Sequence, residues 1–269
     1  MTISSDCVAS EVRQLHKFGG SSLADAKCYQ RAADIMAEYS KPGDLMVVSA
    51  AGSTTNQLIS WLQLSQTDRL SAHQVQQNLR RFQTGLMNSL LPAAVAEPLV
   101  QEFIRDLERL AVLLDGAITD AVYAEVVGHG EIWSARLMSA VLTQQDLQAG
   151  WLDAREFLSA ERSAQPEVKE AESRQLLLQR LTGCGGQRVV ITGFIARNQA
   201  GETVLLGRNG SDYSATQIGA LAGVSKVTIW SDVAGVYSAD PRKVSDACLL
   251  PLLRLNEASE LARLAAPVL

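Results

Sequence analysis

Cysteine, histidine and basic charge are all scarce in this chain, and each scarcity removes a class of function. Cys7, Cys28, Cys184 and Cys248 form no C-x-x-C pair, which excludes a zinc ribbon and a thioredoxin-like motif. His16, His73 and His129 fall at no metal-ligand spacing, so no metal site is assigned. The His129-Gly-Glu131 spacing echoes a zinc deaminase signature, but the required P-C-x-x-C is absent. No G-K-[ST] triplet occurs, so there is no Walker A loop. No apolar run reaches the length of a membrane-spanning helix. The N-terminal MTISSDCVASEVRQ lacks the apolar stretch of a signal peptide. Charged residues make up 20% of the chain and the formal net charge is -5, which leaves no electrostatic footprint for nucleic acid. A local pocket can still hold an anion against that global charge. The expectation is a cytoplasmic chain with free thiols and neither nucleic acid nor membrane as partner.

What is present is a large apolar core. Of 269 residues, 47% are hydrophobic, enough for one large α/β domain or two small ones. Val12 to Phe18, DLMVVSA, RVVITGF (188–194), TVLLG (203–207) and KVTIW (226–230) read as strands, several of them continuously apolar and therefore buried on both faces. Helical periodicity fills Ala24 to Tyr39, the stretch after Asn56 through Leu64, residues 71–115 with a break near Leu91-Pro92, and Asp212 to Ala222 with Gly223 as C-cap. A further helix is capped at Thr119-Asp120. It reads as interrupted by Gly128-His129-Gly130 and resumed from Glu131 to Leu142. Alternating strands and helices predict an α/β fold with a mainly parallel sheet covered on both faces. Ligands in such sheets sit beyond the carboxyl ends of the strands.

Polar, glycine-containing clusters fall at those predicted ends. KFGGSS joins Lys17 to Gly19 and Gly20. It reads either as a phosphate-cradling turn or as a tight turn with an exposed lysine. SAAGSTTN (49–56) offers amides and hydroxyls for an anion, or simply a helix cap by Ser53, Thr54 or Thr55. Glu131 at a predicted helix start is ordinarily explained by the helix dipole, but the flanking glycines permit close approach to the backbone. In GRNGSD (207–212), Ser211 or Asp212 serves as a cap. Arg208 carries a planar fork suited to a carboxylate and has no structural explanation. WSDVAGVYSADPR (230–242) is either a nucleotide-lining loop or a hairpin-like loop rich in turn formers. GCGG (183–186) precedes a strand and reads as a linker turn.

KFGGSS, VVSAAGSTTN, GHGEIWSARL, VITGFIARN, LLGRNGSDYSAT and WSDVAGVYSADPR, taken together and in this order, resemble the aspartokinases. The likeness is greatest to the kinase part of the bifunctional aspartokinase/homoserine dehydrogenases of type II. It spans Lys17 to about Leu269. The resemblance implies the amino acid kinase fold, an αβα sandwich. It implies phosphoryl transfer from MgATP to the side-chain carboxylate of L-aspartate, the first step toward lysine, methionine and threonine. It implies Lys17 and Asp212 as catalytic residues. Ser49, Thr55, Glu131, Phe194, Arg208, Asn209, Gly210 and Ser211 would hold the substrate. Lys17, Gly19, Gly20, Ser21, Ser231, Asp232, Tyr237 and Arg242 would hold the nucleotide, with Mg²⁺ carried chiefly by the phosphates. A homodimer is compatible with it. The family often carries a lysine in a G-A-K-V-L-H segment; here Ala265-Ala266-Pro267-Val268-Leu269 puts proline at that place. The expected organisation is a flexible tail over 1–11 and a catalytic domain over 12–269. The helical pattern of NEASELARLAAPVL stops without a cap, which suggests a chain cut before regulatory ACT and dehydrogenase domains. Two other readings remain open from the residues: a kinase of this fold with another acceptor, and a non-catalytic nucleotide- or amino-acid-binding fragment.

Overall fold

The computed structural model describes residues 13–207, 209–240, 243–254 and 257. Residues up to Trp230 form one compact unit and those from Ser231 onward a second. The larger unit is built on a five-stranded sheet of β1 (Gln14–Phe18), β2 (Leu45–Val48), β3 (Ala149–Leu152), β4 (Arg188–Thr192) and β7 (Lys226–Trp230), in the order β3-β4-β2-β1-β7. All four pairings are parallel. The central strands read as unbroken apolar runs because alternate residues serve two different cores. Phe18, Met46, Val48 and Val190 face the first. Leu15, Leu45, Val47, Val189 and Ile191 face the second.

Five helices contribute to the first core: α1 (Ala26–Tyr39), α2 (Thr54–Ser65), α3 (Arg69–Leu90), α4 (Ala93–Leu114) and α5 (Asp120–Gln144). The second core takes α6 (Glu170–Gly183), α7 (Gly210–Ala222) and a hairpin of β5 (Ile195–Arg197) and β6 (Thr203–Leu205). The result is an αβα sandwich. Helix starts follow local chemistry: the Asp25 and Asp68 carboxylates and the Thr119 hydroxyl accept backbone N–H bonds. Gly223, at φ 67°, ends α7. Among the described residues no helix is long and apolar enough to cross a membrane.

Four expectations need correction. Helix α5 runs unbroken through Gly128-His129-Gly130, so Glu131 sits in its interior and not at a helix start. TVLLG is not a strand of the parallel sheet; its Thr203–Leu205 part pairs antiparallel with Ile195–Arg197. The cap of α7 is Asn209 in the left-handed conformation, and neither Ser211 nor Asp212 fills that place. Strand β3 and helix α6 had no predicted counterpart.

The glycines of α5 are there for packing. A Cβ on Gly128 would lie 2.8 Å from Ile195 Cγ2, and one on Gly130 would lie 2.7 Å from Ala50 Cβ. The helix thus presses directly onto the hairpin and onto the loop after β2. Burial of the two faces recovers the conformational cost of glycine, about 1 kcal/mol each.

Gly130→Ala trades that gain against overpacking of about 1–3 kcal/mol, so urea denaturation is expected to show a lower midpoint. Gly85→Ala, at an exposed position of α3 with nothing within 4 Å of its Cβ, is the matched control and is expected to raise it.

Candidate active site

The carboxyl ends of β1, β2 and β4 lie side by side, and backbone hydrogen bonds carry the alignment into the loops. Ser49 N–H donates to Phe18 O at 3.1 Å, Gly193 N–H to Val48 O at 2.9 Å, and Gly52 N–H to Gly20 O at 3.0 Å. Gly20 has to be glycine for this approach, since a Cβ there would come within 3.0 Å of Ala50 O. Lys17 points to the second core's side of the sheet. It is 8% exposed, and its Nζ meets Asp212 Oδ1 at 2.7 Å in the first turn of α7. A Cβ on Gly19 would stand 3.2 Å from that ammonium, so the missing side chain leaves the lysine room.

The turn after β4 closes against the same helix end. Phe194 holds φ 65° and Asn209 φ 57°, conformations a non-glycine residue adopts only at a cost. Phe194 N–H donates to Ser214 Oγ at 3.1 Å, and Phe194 O accepts from Leu206 N–H at 2.8 Å. Gly210 abuts the Phe194 ring, and Gly193 abuts the Ser211 side chain. Glycine at 193 was not among the predicted residues; its close approach to Ser211 comes from distant chain and has no local signal.

Glu131 is 3% exposed in the middle of α5. Its Oε1 accepts the Ala50 N–H at 3.3 Å, while Oε2 is buried with no hydrogen-bond partner among the described residues. Burial pushes the carboxyl up to about 8, against the weaker pull of the Ala50 amide. A buried carboxylate oxygen without a partner is unfavourable for folding alone. A bound cation would relieve it.

One region therefore gathers Lys17, Gly19, Gly20, Ser49, Glu131, Phe194, Gly210, Ser211 and Asp212 around adjoining strand ends. Thr55 lies in the first turn of α2 just beyond the Ser49 loop, and Ser21 opens a 3₁₀ turn after Gly20. Ser231, Asp232 and Tyr237 belong to the second unit, where Ser231 Oγ donates to Asp232 Oδ1 at 3.2 Å and Tyr237 bridges to Leu249. Arg208 and Arg242, and the Ala265–Leu269 segment, lie outside the described residues. Among the described residues no three histidine, cysteine or acidic side chains cluster as a metal site.

A lysine and helix-end amides beside parallel strand ends suit phosphate, and a buried carboxyl that ionises when a cation is brought against it suits an amine. The model of the amino acid kinase family matches residues 13–269. The chain belongs to that family. It is 78% identical over 257 residues to the bifunctional aspartokinase/homoserine dehydrogenase 2 of Escherichia coli K12, covering 96% of this chain and 32% of that protein. It is 32% identical to lysine-sensitive aspartokinase 3 of the same organism, covering 94% of this chain and 56% of that one. The crystal structure of E. coli aspartokinase III with aspartate and ADP superimposes with a TM-score of 0.85 at 32% identity, over 93% of this chain and 56% of that one. The chain thus spans about a third of the length of the first of these relatives.

The Glu131 carboxyl generates a pH dependence of stability. Its folded pKa lies above its unfolded value, so between about pH 4.5 and about pH 8 the native chain holds a proton that the unfolded chain has lost. Stability from this group falls as pH rises through that window. Glu131→Gln does not titrate. The stability of this variant minus that of the parent, from urea titrations at several pH values, is expected to grow from about pH 5 to about pH 8. A constant difference would contradict the raised pKa.

Proposed function

We propose that this chain transfers the γ-phosphoryl group of MgATP to the side-chain carboxylate of L-aspartate, giving 4-phospho-L-aspartate. The observation that carries the acceptor assignment is Glu131, buried with one oxygen unpartnered among the described residues: it is the counter-charge an α-ammonium group needs. The aspartate and ADP bound by the similar E. coli aspartokinase III support the same reading.

The acceptor carboxylate is already ionised near neutrality, so the reaction requires alignment and charge relief and no general base. Lys17 stabilises the charge on the transferring phosphoryl group. Asp212, 2.7 Å away, fixes the lysine's position. Backbone at Gly19 and Gly20, with Ser21, approaches the phosphates. Arg208 takes the α-carboxylate through its two-pronged guanidinium, and Glu131 takes the α-ammonium. Ser49, Thr55, Phe194 and the Asn209–Ser211 turn complete the acceptor pocket. Ser231, Asp232, Tyr237 and Arg242 serve the nucleotide. Mg²⁺ enters as part of the nucleotide substrate, held by phosphate oxygens and water. On this reading residues 12–269 are the kinase domain. The free thiols of Cys28, Cys184 and Cys248 support a cytoplasmic setting.

Hydroxylamine trapping of the acyl phosphate tests the reaction. Hydroxamate is expected with MgATP and L-aspartate and not with L-glutamate; no aspartate-dependent signal from folded protein would overturn the assignment. Lys17→Ala is expected to lower kcat/KM by about 10²–10³ with the circular dichroism spectrum unchanged, and parental kinetics would remove Lys17 from the phosphoryl site.

A further inference from the structure

A polar cluster with no part in the proposed chemistry joins α5 to the β5–β6 hairpin. Thr203 opens β6 and is 4% exposed. Its hydroxyl donates to Glu125 Oε2 at 2.5 Å and accepts from Arg155 Nη1 at 3.0 Å. Arg155 also donates to Glu125 Oε2 at 2.8 Å and is gripped by both carboxylate oxygens of Asp153, the residue after β3. Arg109 from α4 donates to Glu125 Oε1 at 3.0 Å and lies 2.6 Å from His129 Nε2. The His129 Nδ1–H donates to Glu125 O at 2.6 Å, so Nε2 is the acceptor for Arg109 in the neutral ring. Against burial, the Thr203 hydrogen bond, the Arg155 charge and the Arg109 hydrogen bond hold the Glu125 carboxyl below its ordinary range. The cluster walls a cavity of about 660 Å³ that contains none of the residues assigned above.

The hairpin it grips begins and ends in the acceptor pocket. Phe194 immediately precedes β5, Leu206 immediately follows β6, and the two are bonded at the hairpin's base. Beyond Leu206 the chain enters the turn that carries Asn209, Gly210 and Ser211. The apolar contacts of Ile195, Ala196, Val204 and Leu206 bury the hairpin but are non-directional. The Thr203 hydroxyl, held between a carboxylate and a guanidinium, is directional. Glu125, which accepts from it, stands on the same helix that carries Glu131, less than two turns away. Phe194 keeps a strained left-handed backbone, which persists only where its surroundings over-determine it.

We propose that Thr203 and Glu125 are positioning residues for the acceptor site, locking the hairpin to α5 so that Phe194 and the 206–211 turn are held in register with Glu131. This rests on the aspartate kinase reading, so the parent's aspartate-dependent hydroxamate signal is recorded first; its absence would fail that reading, and this proposal with it. With an active parent, Thr203→Val keeps the side-chain shape and removes the hydroxyl, while Thr203→Ser keeps the hydroxyl. Steady-state kinetics of Thr203→Val are expected to show KM for L-aspartate raised about tenfold and KM for MgATP unchanged. Thr203→Ser is expected to stay within about twofold of the parent on both. A lowered Tm with both KM values at the parental level would reduce the cluster to a structural role and overturn the proposal. So would an equal rise in both KM values, failure of serine to rescue, or a Thr203→Val chain that does not fold.

Discussion

The close approach of α5 to its two neighbours is the constraint on which the rest of the candidate site depends. Gly128 admits the hairpin and Gly130 admits the loop after β2. Between them a single helical turn brings two separate pieces of the candidate site against one rigid element. That is why Glu131 can be buried in a helix interior and still meet the Ala50 amide. A Cβ at either position would force the neighbour outward, and the loop and hairpin would lose their common reference. Helix α5 is the scaffold on which strand-end loops become a pocket.

The parallel sheet supplies the second half of that arrangement. Its register aligns Phe18, Val48 and Thr192 along β1, β2 and β4, so the loops that follow leave the sheet at one level. Alternation then sorts the side chains. Phe18 goes into the first core, and Lys17, one residue earlier, goes to the opposite face toward α7 and Asp212. A lysine that is 8% exposed is tolerable there because its charge is paired at hydrogen-bond distance. Among the described residues the second oxygen of Glu131 has no such compensation. The two buried groups therefore differ in kind: Lys17 has an ion-pair partner in Asp212, and one oxygen of Glu131 has no partner among the described residues.

Much of this was legible in the sequence, and the failures share a cause. The buried strands were readable because continuous apolar runs bounded by glycine are rarely anything else, and KFGG and SAAGSTTN were readable as strand-end loops. Gly128-His129-Gly130 was misread as a helix break because local propensity counts two glycines as a cost. Tertiary packing against Ile195 and Ala50 turns that cost into a requirement. TVLLG was misplaced for a related reason. Three to five apolar residues look alike in a parallel sheet and in a hairpin, and the antiparallel pairing with Ile195–Arg197 and the Phe194–Leu206 bond at the base reveal the latter. Gly193 lay hidden between two apolar segments, since nothing local distinguishes a glycine that must admit Ser211 from one that merely turns the chain.

The Glu125 cluster was invisible for a different reason: its members come from α4, α5, the segment after β3 and the hairpin, and no spacing links them. Its composition argues against a purely stabilising purpose. Replacing paired charges by packed apolar groups is often neutral or favourable to stability, and the hairpin already buries Ile195, Ala196, Val204 and Leu206. What charges and a hydroxyl add is direction, a single rotational setting of the hairpin on the helix. The strained backbone at Phe194 demands such a setting, because a left-handed phenylalanine relaxes as soon as its surroundings permit. Strain at the mouth of the pocket and polar rigidity behind it are thus two sides of one arrangement, with α5 transmitting between them.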